Sequence, residues 1–184
     1  MIHIQNITGR LGNSMFQFAF LYDYAKKNGI DYYYQDPDFF EDSADELKAI
    51  FREGIPEEVN MVAIHVRRGD YVNNSFYVDL LSETAYYEAA MELFPDRQFV
   101  VFSDDIEWCK QQSIFKDCEF SHGTELEDMN NMASCNAHII ANSSFSYWAA
   151  FISPYSKKIV APSKDNWYTD GIERTICPDS WCRL

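Results

Sequence analysis

Four short apolar runs, Val62–Val66, Gln98–Phe102, His138–Ala141 and Lys158–Ala161, punctuate the last two thirds of this 184-residue chain. Helical patterns fill the intervals: Ser82–Leu93, Asp105–Gln112, Glu125–Ala133 and Phe145–Ile152. Strand–helix–strand alternation with short connections has one compact solution, a mostly parallel sheet with helices on both faces and right-handed crossovers. Such sheets bind ligands at the carboxyl ends of their strands. Three of the runs end in polar clusters: His65/Arg67/Arg68, Ser103/Asp104/Asp105 and Asn142/Ser143/Ser144/Ser146. Their convergence on one crevice is expected.

The sharpest of these clusters follows Val62–Val66, where the chain reads Arg67-Arg68-Gly69-Asp70-Tyr71. Arginine offers a planar fork of donors that fits a phosphate or carboxylate and stays charged at any working pH. Along a strand His65 and Arg67 share a face and Arg68 points to the other. An ordinary turn held by an Arg68–Asp70 ion pair is the plainer alternative. After Tyr71, the polar loop around Asn73-Asn74-Ser75 is a candidate mobile segment beside the arginines.

Composition removes some functions. The formal charge of −14 argues against nucleic acid as a partner but allows a small phosphorylated ligand met by a local cluster of arginines. An apolar fraction of 47% suffices for one sizeable core. No stretch is apolar for long enough to span a membrane, and a signal-peptide core is missing, which implies a cytoplasmic chain. Five cysteines without C-x-x-C spacing fit reduced thiols rather than zinc ligands.

Upstream, Ile2–Ile7 reads as a strand, Thr8–Asn13 as a glycine-bearing turn, and Ser14–Lys27 as a helix closed by Asn28-Gly29. A turn of this kind brings backbone close to a ligand and aims helix N–H groups at an anion. Asp31–Gln35 is a second candidate strand. Asp36-Pro37-Asp38 spells a D-x-D metal pair but reads better as a loop. Ser43, with Glu46 at the capping-box position, starts a short helix to Arg52. The chain thus divides into residues 1–59, with an acidic linker, and a sheet-bearing part, residues 60–184, whose tail from Pro162 has no regular pattern.

Four stretches together resemble the α-1,2-fucosyltransferases of glycosyltransferase family 11: Gly9–Ala19, His65–Tyr71, Phe102–Cys109 and Ile139–Trp148. The resemblance implies a GT-B-like α/β fold, with a Rossmann-type, mostly parallel donor lobe and an amino-terminal lobe reduced between about Tyr34 and Asn60. It implies inverting transfer of L-fucose from GDP-β-L-fucose to a glycan hydroxyl, α-1,2 to galactose, without metal or other cofactor. Arg67 would stabilise the departing diphosphate, assisted by Arg68, with His65 orienting phosphate or ribose. Gly12 and Asn13 would close over the donor, and Asp104 or Asp105 would accept from guanine. Asn142, Ser143, Ser144 and Ser146 would hold phosphate oxygens.

Asp70 is the nearest carboxylate for the acceptor proton, with Asp79 and Glu83 as alternatives. Ser103 or Asp104 would equally serve as a helix cap. His122 and His138 fit no cluster and read as structural; Trp108, Phe145 and Trp148 read as core. The reduced lobe leaves a second possibility, a GDP-sugar-binding remnant acting as a partner module. Exposed aromatics at Tyr32–Tyr34 would suit a homo-oligomer in which a second subunit completes the acceptor cleft.

Overall fold

The computed structural model describes residues 11–29, 48–49, 51–170 and 177–184. The expected strands at Ile2–Ile7 and Asp31–Gln35, the Asp36-Pro37-Asp38 loop and the Ser43 cap lie outside the described residues. Helix α1 is Leu11–Asn28; then come β1 (Val59–Val66), α2 (Tyr86–Glu92), β2 (Phe99–Ser103), α3 (Ile106–Cys109), β3 (Glu119–Phe120), α4 (Glu125–Ser134), β4 (Cys135–Ile139), α5 (Ser144–Ile152), β5 (Lys158–Ala161) and β6 (Cys182–Arg183).

Among the described residues six strands form one parallel sheet, in the spatial order β3-β2-β1-β4-β5-β6. The order reverses between β1 and β4. A crevice at the carboxyl edge of such a switch point is where doubly wound sheets bind ligands.

Alternation along β1 builds the two layers. Ala63 joins a cluster with Met15 and Ala19 of α1, Met129 and Met132 of α4, and Trp148 of α5. Val62, Ile64 and Val66 face the other way, onto Tyr86, Tyr87 and Ala90 of α2, Cys109 and Phe115. Helix α1 is therefore built into the same core as the sheet. Among the described residues no helix is long and apolar enough to cross a membrane.

Several boundaries differ from the sequence expectation. Helix α2 starts at Tyr86 because Asp79 Oδ1 accepts from the backbone N–H groups of Leu81 and Ser82, a local turn that competes with helix. Helix α3 stops at Cys109, four residues after its cap. Strand β4 begins at Cys135, directly after α4, with polar Asn136 tolerated because Arg97, Glu58 and Asn60 bond its side chain. The tail is also less irregular than its pattern suggests, since β6 pairs with β5 through Val160–Cys182 and Ala161–Arg183.

Candidate active site

The end of β1 delivers the two arginines to opposite sides, as strand alternation requires. Arg67 is nearly buried. Its Nη1 lies 2.9 Å from Asp104 Oδ2 and its Nη2 donates to Asp70 Oδ1. The guanidinium also sits 5.4 Å from the Tyr71 ring centroid. Arg68 turns away and stacks on Trp108 at 3.5 Å, with Asp105 Oδ2 at 3.5 Å and Asp79 Oδ2 at 4.0 Å. Asp104 serves both residues, because its Oδ1 accepts from the Arg68 backbone N–H at 2.9 Å. One carboxylate thus fixes the strand end and the orientation of Arg67.

Opposite Arg67, two helix N-termini meet. A Cβ on Gly12 would lie 2.6 Å from Phe145 N, so only glycine lets α1 approach α5 this closely. Ser144 Oγ donates to Asn13 Oδ1 at 2.7 Å across the junction. Ser143 caps α5, its Oγ accepting from Phe145 N at 3.4 Å. The N-terminus of α5 carries the positive end of its helix dipole, while Leu11 N of α1 donates to Glu125 Oε1 at 3.4 Å. Gly12 and Asn13 thus lie inside the first turn of α1 rather than in a loop before it.

Two adjoining cavities share Arg67, Glu125 and Phe145 as a common wall. The first, about 340 Å³, is lined by His65, Phe102, Ser103, Asp104, Gly123 and Asp128 besides these three. The second, about 360 Å³, adds Gly12, Asn13, Asp70, Tyr71, Tyr77, Asn142, Ser143 and Ser144, with Phe16, Trp167 and Tyr168. His65 is 3% exposed, and its Nδ1 has no hydrogen-bond partner among the described residues. Burial pushes its pKa down to about 3; the Arg67 charge adds to this and Asp104 opposes it. The ring is therefore neutral at working pH.

The structure gathers Gly12, Asn13, His65, Arg67, Asp70, Asp104, Asn142, Ser143 and Ser144 around the two cavities. It leaves Arg68, Asp105 and Ser146 outside their walls. Asp105, rather than Ser103 or Asp104, caps α3, accepting from Trp108 N at 3.3 Å. Ser146 is fully buried and bonds within its own turn, to Ala141 and Ser143. Asn142 lines the second cavity, while its amide Nδ2 lies within 3.3 Å of the carbonyls of Val78, Asn166 and Trp167.

Of the alternative carboxylates, Asp79 is occupied by the Leu81–Ser82 turn, and Glu83 accepts from Asp79 N at 3.3 Å. Neither lines either of these two cavities.

Glu125 and Asp128, on the first turns of α4, were not anticipated. Glu125 Oε1 accepts from Leu11 N at 3.4 Å and borders both cavities. A usable signal existed: Thr124-x-x-Glu127 forms a full capping box, and a helix starting just after a strand must begin at the ligand edge. Among the described residues no group of three or more His, Cys, Asp or Glu side chains is arranged to hold a metal ion.

Fold and site together define an α/β domain with a crevice at its topological switch point, lined by one arginine, Arg67, among the carboxylates of Asp70, Asp104, Glu125 and Asp128. The chain belongs to glycosyl transferase family 11, whose model matches residues 11–182. It is 39% identical over 140 residues to an alpha-1,2-colitosyltransferase of Escherichia coli, covering 68% of this chain and 48% of that protein. It is 33% identical to the O-antigen biosynthesis glycosyltransferase WbnK of Escherichia coli over 73% of this chain and 48% of the relative. A galactoside 2-alpha-L-fucosyltransferase of Bos taurus, SEC1, is 32% identical over 50% of this chain and 28% of its own length. The chain thus spans about half the length of the bacterial relatives it matches. Among solved structures, a NodZ alpha-1,6-fucosyltransferase soaked with GDP-fucose aligns with 67% of this chain and 45% of its own, at 17% identity and a TM-score of 0.41.

Proposed function

We propose that this chain binds GDP-β-L-fucose in the two adjoining cavities and transfers L-fucose, with inversion, to the 2-hydroxyl of a galactose in a glycan. The observation that carries this reading is Arg67, held by two aspartates at the strand end and facing the paired N-termini of α1 and α5. Relatives named for fucosyl and colitosyl transfer support this donor class.

The diphosphate spans the wall at Arg67, against the α1 and α5 amides. Guanine enters the first cavity between Phe102 and Phe145, where Asp104 and Asp128 accept from its N1–H and N2–H groups. The fucose and the acceptor share the second cavity. There the acceptor oxygen attacks C1 as the C1–O bond to the diphosphate breaks, and GDP leaves with the bonding electrons. Arg67 and the helix N-termini stabilise the charge that develops on the leaving oxygen. Asp70, 58% exposed at the mouth, takes the hydroxyl proton.

Calorimetric titration with GDP in the presence of a chelator tests the reading. Arg67→Ala should weaken binding by about 1.5–3 kcal/mol, the worth of a charge-assisted hydrogen bond, and abolish transfer. Full activity in Arg67→Ala would overturn it. Running the transfer assay with both GDP-fucose and GDP-colitose separates the two sugars.

A further inference from the structure

The second cavity has an aromatic wall that the diphosphate does not use. Tyr71 and Tyr77 stack face to face, with centroids 3.7 Å apart and planes 5° from parallel. Tyr168 leans on Tyr77 at 5.7 Å, and the two residues pair through an antiparallel backbone bridge. All three line the cavity together with Arg67 and Asp70.

The wall is held from behind. Tyr71 Oη donates to the Asn142 carbonyl at 2.8 Å. Thr169 N donates to Phe76 O at 3.0 Å, and Asn142 Nδ2 donates to Val78 O at 3.0 Å. The segment that follows the loop expected to be mobile, around Asn73-Asn74-Ser75, is therefore stapled to the segment 166–169. Three stapled tyrosines beside an exposed carboxylate make a rigid surface that is apolar in the middle and polar at the edge.

That pattern matches one face of a pyranose. In galactose the axial 4-hydroxyl leaves C3–H, C4–H and C5–H together on one side of the ring. Polarised C–H groups are attracted to the negative face of an aromatic ring. The hydroxyls then point outward, where Asp70 accepts hydrogen bonds from them.

We infer that Tyr77 and Tyr168, backed by Tyr71, form the acceptor platform, and that it selects a terminal β-galactoside by stacking. This rests on the fucosyl-transfer reading of the same crevice. The platform fixes acceptor affinity; Arg67 and the helix N-termini fix donor affinity.

Saturation-transfer NMR with methyl β-D-galactopyranoside, recorded with and without GDP, reads the platform directly. Saturation should be strongest at H3, H4 and H5 of the sugar. Tyr77→Ala and, independently, Tyr168→Ala should weaken galactoside binding at least tenfold, Tyr77→Phe should retain it, and each variant's fold is checked by its thermal midpoint. No saturation in the wild type, or saturation undiminished from the wild type in both alanine variants, overturns the platform. Tyr77-dependent galactoside binding in a protein that fails to bind GDP would instead overturn the donor reading and leave the platform standing.

Discussion

Asp104 holds Arg67 and the chain that follows it with two different oxygens: Oδ2 lies 2.9 Å from the Arg67 guanidinium, and Oδ1 accepts from the next backbone N–H at 2.9 Å. The carboxylate comes from the end of β2, the arginine from the end of β1, and parallel pairing of Val66 with Ser103 sets their separation. Register, rather than loop chemistry, therefore aims the cation.

Asp104→Ala removes both bonds at once and leaves a nearly buried guanidinium with one exposed partner. We expect a loss of about 1–3 kcal/mol of stability, the cost of an unsatisfied buried polar group, together with weaker GDP binding. Urea denaturation and calorimetry measure the two effects separately. Wild-type GDP affinity in Asp104→Ala would show that Arg67 needs no such support.

Asp70, 58% exposed, pairs with the guanidinium proposed to hold the diphosphate and would compete with it. An exposed ion pair is worth about 0.2–1 kcal/mol, so Asp70→Asn should tighten GDP by up to about fivefold. Turnover should fall in the same variant, because the proton acceptor is gone. Tighter GDP with unchanged turnover would remove Asp70 from the chemistry.

Gly12→Ala would set a methyl group 2.6 Å from backbone atoms of Ser144 and Phe145. Neither helix end can yield locally, so α1 must shift, at a cost of about 1–3 kcal/mol for overpacking. A lower thermal midpoint with weakened GDP binding is the expected pair of results. An unchanged midpoint would mean that the junction between α1 and α5 is looser than its geometry.

Two buried histidines make the fold sensitive to acid. Burial pushes His65 down to about 3 and His138 down to about 4, the latter partly offset by its bond to the Met132 carbonyl. An unfolded histidine titrates near 6.5. Below about 6.5 the unfolded chain therefore binds more protons than the folded one, and stability falls as pH drops towards those folded values. The slope is up to about 1.4 kcal/mol per pH unit for each histidine. Denaturation midpoints at pH 7, 6 and 5 test this, and His138→Gln should flatten the curve.

Much of this arrangement was legible in the chain, for identifiable reasons. The face shared by His65 and Arg67 follows from strand alternation, and the strand ends mark the crevice because parallel sheets bind there. Strand β4 was misplaced because Asn136 reads as polar, and the partners that satisfy it come from Glu58, Asn60 and Arg97, far away in sequence. Glu125 and Asp128 escaped notice because a capped helix start already accounts for acids in that turn. The direction of Arg68 was readable, but its stacking on Trp108 depends on where α3 ends.

The crevice is assembled from residues near 12, 67, 104, 125, 143 and 168, contributed by both ends of the described chain. None of these pieces faces another until β1 lies between β2 and β4. The crevice is therefore a property of the finished sheet alone. Any molecule that binds there acts as a thermodynamic clasp on the entire domain, raising its stability by RT ln(1 + [L]/Kd). Nucleotide in the buffer would register as a shift of the whole unfolding transition rather than as protection of one loop.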